Sequence, residues 1–230
     1  MGYEQIYWVY LHHVVAGAVS GLVMAVLVAR RLPSFLHGLT FLLLGLTLAD
    51  AVTSGVLNKI DGVQGSMAHT AAIFFFVVAG DWRYFLVTRR YTTPGLDKKD
   101  WGGPGMWLAA LAPVLLPVAI TGALQASFPE QYTSMHAQFL TYELVMIALV
   151  VATMLVWLPR RAANVSPEVG RWLRLVTYVE LSHYVLWATS DVLVLSGVEL
   201  GYLLRLVPDV IYYALWIPAL WVFAPREEVA

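Results

Sequence analysis

Seven long apolar runs, at about 5–29, 34–57, 67–88, 104–126, 134–158, 171–196 and 199–223, constrain this chain more than any other feature. A helix that crosses a hydrocarbon core of about 30 Å needs roughly 20 mostly apolar residues. Period-two alternation is absent, and the runs are too long and too apolar for barrel strands. Hydrophobic residues fill 60% of the 230 positions and charged residues only 13%, whereas an ordinary soluble domain carries about 25% charged residues. Turn chemistry separates the runs at Pro33, Gly62, Gly65, Pro94–Gly95, Gly102–Gly103–Pro104, Pro129, Pro167 and Gly197. The expectation is an all-α integral membrane protein, a seven-transmembrane-helix bundle forming one domain over 1–230.

Basic residues give the orientation. Arg30, Arg31, Arg83, Arg89, Arg90, Lys98, Lys99, Arg160, Arg161, Arg171, Arg174 and Arg226 fall at one set of helix ends and loops, whereas the opposite set holds only Lys59 and Arg205. This asymmetry predicts the N-terminus outside and the C-terminus in the cytoplasm, in a bacterial or archaeal inner membrane. The first run lacks a basic leader, so it reads as a span and not a signal peptide. A net charge of −1 gives nucleic acid no basic footprint. With no cysteine there is no disulfide, thiolate metal site, iron–sulfur cluster or cysteine nucleophile.

Ionisable residues inside spans are costly and default to function. Here they are His12 and His13 in the first span, Asp50 in the second, His69 in the third, and His136 and Glu143 in the fifth. The sixth adds Glu180, His183 and Asp191, and the seventh adds Asp209. Counted at 1.5 Å per residue, most fall in the outer half of the membrane, with Glu180 and His183 toward the middle. Glu180, His183, Tyr184, Trp187 and Asp191 share one helical face, which must point into the bundle. His136 and Glu143, seven residues apart, also share a face, and Pro208 frees a backbone carbonyl beside Asp209.

Several of these groups have plain structural explanations. Arg205 and Asp209 are spaced to pair along one helix, Asp81 and Arg83 read as an ion pair at the inner mouth, and His69 and His136 suit the headgroup level. Glu180–x–x–His183 has the spacing of carboxylate-bridged di-iron bundles but occurs once, where such a site needs it twice. Taken together, the acids and histidines would repel one another unless protons, water or a cation neutralise them.

Two stretches resemble known families. Trp187, Val192, Leu195, Gly197, Glu199, Leu203–Leu204 and Asp209–Val210 are similar to the last two helices of microbial rhodopsins, which implies a seven-helix bundle. Tyr213 stands where that family has its retinal lysine, and no span contains lysine, so a retinal Schiff base is impossible. Asp50, Ser190–Asp191 and Tyr212–Tyr213 are similar in order to the lysoplasmalogenase (YhhN-type) membrane hydrolases, which implies hydrolysis of a lipid.

The function expected from the sequence is a membrane-embedded metal-dependent hydrolase acting on a lipid-borne or apolar small-molecule substrate. His12, His13, Asp50, His69, His136 and Asp191 would bind a divalent metal, zinc or non-haem iron. Glu143, Asp209 and His183 would supply the acid–base chemistry. The alternatives are a proton- or cation-coupled transporter built on the same acids and a b-haem electron carrier. Membrane lipids are the expected surroundings, nucleic acid is not a partner, and a homo-oligomer is compatible with the sequence.

Overall fold

Serine hydroxyls open three of the long helices in the computed structural model, which describes residues 2–7, 35–57, 66–96 and 100–226. Ser66 Oγ accepts the His69 amide at 3.2 Å, Ser134 Oγ the Ala137 amide at 3.2 Å, and Ser166 Oγ the Val169 amide at 3.3 Å. Each bond satisfies a donor that the first helical turn leaves without a partner. The elements are α1 (Tyr3–Ile6), α2 (Phe35–Leu57), α3 (Met67–Thr92), α4 (Pro104–Ser127), α5 (Met135–Arg161), α6 (Pro167–Leu195) and α7 (Leu200–Phe223). No strand occurs among the described residues.

Five helices, all but α1 and α6, are long and apolar enough to cross a membrane, which marks an integral membrane protein. Helix α6 has 29 residues, long enough to span, but its polar stripe dilutes its hydropathy. Most of the first predicted span, with His12 and His13, lies outside the described residues. Outward faces carry Val52, Phe75, Leu108, Leu155 and Val222, all exposed, as lipid contact requires.

Two helices are interrupted by π turns, at Thr153–Trp157 in α5 and Ile211–Leu215 in α7. Proline explains both. A proline ring clashes with the carbonyl four residues before it; for Pro159 that residue is Leu155, and for Pro218 it is Ala214. Each lies inside a π turn, where the wider ring of the ladder accommodates the clash.

Helix α6 ends in a Schellman motif: Gly197, at φ 80°, donates to the Val194 carbonyl and Val198 to the Leu193 carbonyl, both at 2.9 Å. The tight turn brings α7 back along α6, and Gly201 sits where a Cβ would meet the Ser190 carbonyl at 2.8 Å. The Ser190 hydroxyl donates to the Gly201 carbonyl at 2.9 Å. At the other end Trp172 donates to the Leu220 carbonyl at 3.1 Å, and Trp221 ties α7 to α2 through Thr40 Oγ at 2.9 Å. A second close approach joins α3 and α7. The Tyr212 hydroxyl donates to the Val77 carbonyl at 3.4 Å and fills the space that a side chain at Gly80 would take.

Candidate functional site

The inward stripe of α6 organises the polar interior. Glu180, His183, Tyr184 and Asp191 are fully buried and Trp187 nearly so, while Val185 on the opposite face is 44% exposed. The stripe supplies two groups, one at each end.

The first group lies about the middle of α3. Asp81, Glu180 and His183 each place one ligand atom within 4.8 Å of the other two, so together they can hold a metal ion. Tyr142 donates to Asp81 Oδ2 at 2.5 Å and Trp216 to Glu180 Oε2 at 2.7 Å. His183 Nδ1 stands 3.8 Å from Glu180 Oε2. Asp81 Oδ1, Glu180 Oε1, both His183 nitrogens and the Tyr184 hydroxyl are buried with no hydrogen-bond partner. Arg83 supplies the local cation. It donates to the Tyr212 carbonyl at 3.0 Å and lies 4.0 Å over the Tyr212 ring and 4.4 Å over Trp216.

Asp81 therefore does not close an inner-mouth ion pair with Arg83. Residues two apart on a helix point to different faces, and among the described residues no carboxylate comes within 4.0 Å of Arg83. Helix α3 also runs on to Thr92, so Asp81 sits well inside it. Asp81, expected only as half of an ion pair, completes the one set of three metal-capable ligands among the described residues.

The second group lies where α6 turns into α7. Asp191 Oδ1 accepts from Arg205 Nη1 and meets His136 Nδ1 at 2.9 Å. Asp209 accepts from Tyr7 at 2.5 Å and from Trp187 at 2.8 Å. The expected Arg205–Asp209 pair is thus replaced: Arg205 reaches across to α6, and Asp209 is held by two neutral donors. Glu143 lies beside Asp191, with Oε2 buried and without a partner, and Asp191 Oδ2 is equally orphaned. Asp50, on α2, accepts from Tyr213 at 3.1 Å. His136, Glu143, Asp191 and Asp209 therefore lie in one group, although depth counting placed His136 and Asp191 nearer the outer surface than Glu143 and Asp209.

His183, expected among the same catalytic residues, belongs to the first group. His69 is buried in the first turn of α3. Among the described residues, Asp50, His69, His136 and Asp191 form no set of three ligand atoms gathered within 4.8 Å.

Aromatic rings join the two groups. His183 is 5.2 Å from Trp187 and 5.3 Å from Tyr212 between ring centroids, and Trp187 is 5.0 Å from Tyr212. Trp187 in turn holds Asp209. The π turn of α7 contributes Tyr212 to the first group and Tyr213 to Asp50. No protein-family model matches this chain, and no curated protein or solved structure is significantly similar to it. The two family resemblances rest on their sequence motifs alone.

Proposed function

We propose that the protein is a seven-helix membrane transporter coupled to protons or small cations, with the N-terminus outside and the C-terminus cytoplasmic. One observation carries this reading. Among the described residues, five buried carboxyls (Asp81, Glu143, Glu180, Asp191 and Asp209) outnumber three buried guanidiniums, of which Arg83 and Arg205 lie in the two groups and Arg90, near the end of α3, donates to the Asp100 carbonyl at 2.7 Å. A bundle interior cannot hold that excess of negative charge unless protons or a bound cation neutralise it. The carboxyls form two stations linked by Trp187 and Tyr212, and α7 is irregular between them, at Pro208 and through Ile211–Leu215. Irregular helix beside buried acids is how many carriers build a site at membrane depth.

A pH jump applied to protein on a solid-supported membrane tests the reading, because proton binding displaces charge before any substrate is known. Wild type should give a transient that Asp209→Asn and Glu180→Gln each reduce at least tenfold. Asp100→Asn, on an exposed loop, should leave it unchanged. A wild-type trace identical to that of bare membrane would sink the proposal.

The second reading is a membrane metalloenzyme, and the geometry of Asp81, Glu180 and His183 favours it specifically. Its metal would then sit at the first group, with neutral imidazole and two carboxylates as ligands, a donor set suited to zinc or non-haem iron. Stoichiometric metal in the purified chain, lost in His183→Ala, would support this reading over transport.

A further inference from the structure

A groove of about 320 Å³ opens between α3, α4 and α5, beside the π turn of α5. Its deeper wall is apolar: Phe85, Pro113, Leu149 and Val156. The hydroxyls of the two threonines that line it, Thr88 and Thr153, are spent on carbonyls of their own helices, at 3.0 and 2.9 Å, so they add no free polar group. At one end stand Arg89 and Arg160. Arg89 and Arg161 both lie over the Trp157 ring, at 4.7 and 4.8 Å. Two guanidiniums held on one indole repel each other, and among the described residues no carboxylate is within 4.0 Å of Arg89, Arg160 or Arg161. The end of the groove therefore presents uncompensated positive charge.

We propose that this groove is a binding site for one anionic phospholipid, with the phosphate at Arg89 and Arg160 and an acyl chain along Phe85, Pro113 and Leu149. Charge and shape select this occupant. An apolar trough opening into basic residues between helices matches an amphiphile with a negative head. From Arg160 back to Leu149 is eleven residues of helix, or roughly 16 Å, enough for much of an acyl chain. A zwitterionic lipid would fill the trough but leave the guanidiniums unneutralised. The site is separate from the buried carboxyls and does not depend on the transport reading.

Native mass spectrometry of the detergent-solubilised full chain, offered equal phosphatidylglycerol and phosphatidylcholine, reads the preference directly. Wild type should retain phosphatidylglycerol at least tenfold over phosphatidylcholine. Each arginine removed should lower that ratio about fivefold, and Arg89→Gln/Arg160→Gln/Arg161→Gln should abolish it while the helical circular dichroism is retained. Ala152→Phe, which narrows the apolar wall and touches no charge, should weaken retention of both lipids. Equal retention of the two lipids by wild type, or an unchanged ratio in the triple variant, would overturn the proposal. So would displacement of the lipid by millimolar inorganic phosphate, which would assign the site to a free anion.

Discussion

At the scale of single residues, what decides each polar contact is which donor reaches a buried carboxyl first. Asp191 is fully enclosed, and its one full cation is Arg205. Removing one partner of a buried pair leaves an uncompensated charge, at a cost of about 3–5 kcal/mol. Arg205→Gln should lose that much in reversible unfolding in mixed micelles. Asp191→Asn/Arg205→Gln should lose distinctly less than the sum of the two single changes, and strict additivity would mean that the pair is not coupled. Shared helical faces made part of this group legible: His136 and Glu143 lie seven residues apart on α5, and Asp191 belongs to the inward stripe of α6. What it hid was Asp81. Arg83 two residues on suggested a partner, although the helical rotation of roughly 200° between them forbids a direct pair. Its real donor, Tyr142, lies 61 residues away on α5, and no local pattern could have named it.

At the scale of elements, glycine and proline breaks placed α2, α4 and α7 to within one residue of their ends, whereas α3 runs four residues past its expected end and α6 begins four residues before its expected start, at Pro167 behind the Ser166 cap. The inward direction of α6 was equally plain: five polar or aromatic residues on one face have no other place to go in lipid. Leu181, off that face, is nevertheless half-buried against the core and not turned wholly to lipid. The π turns were not foreseen as such; the prolines were visible, but whether a clash is met by a kink or by a wider turn depends on neighbouring helices. Pro218→Ala tests what the turn in α7 does. Without the clash at Ala214, Ile211–Leu215 can close to α-helix and rotate Tyr212 off Arg83. Stability should stay level or rise by up to about 3 kcal/mol, while the pH-jump transient should fall at least tenfold. Parallel losses in both measurements would show that the turn is merely structural.

At the scale of the whole molecule, the basic ends of α3 and α5 and the start of α6 define one face. Arg89, Arg90, Arg160, Arg161, Arg171 and Arg174 all belong to it, against Arg205 at the opposite end. If this is the cytoplasmic face, a reporter fused after Arg226 should be active only as a cytoplasmic probe. Periplasmic activity from that fusion would invert the proposed orientation and place the lipid groove in the outer leaflet. The bundle also carries a constraint on its own descent. Because the Tyr212 hydroxyl occupies the volume of any side chain at position 80, the two positions cannot drift independently. A lineage that acquires alanine at 80 must first replace residue 212 with a side chain shorter than phenylalanine, since the ring Cζ alone would lie 2.7 Å from the new Cβ, or part α3 from α7. The order of such changes along a phylogeny would record whether the phenol or the close packing came under selection.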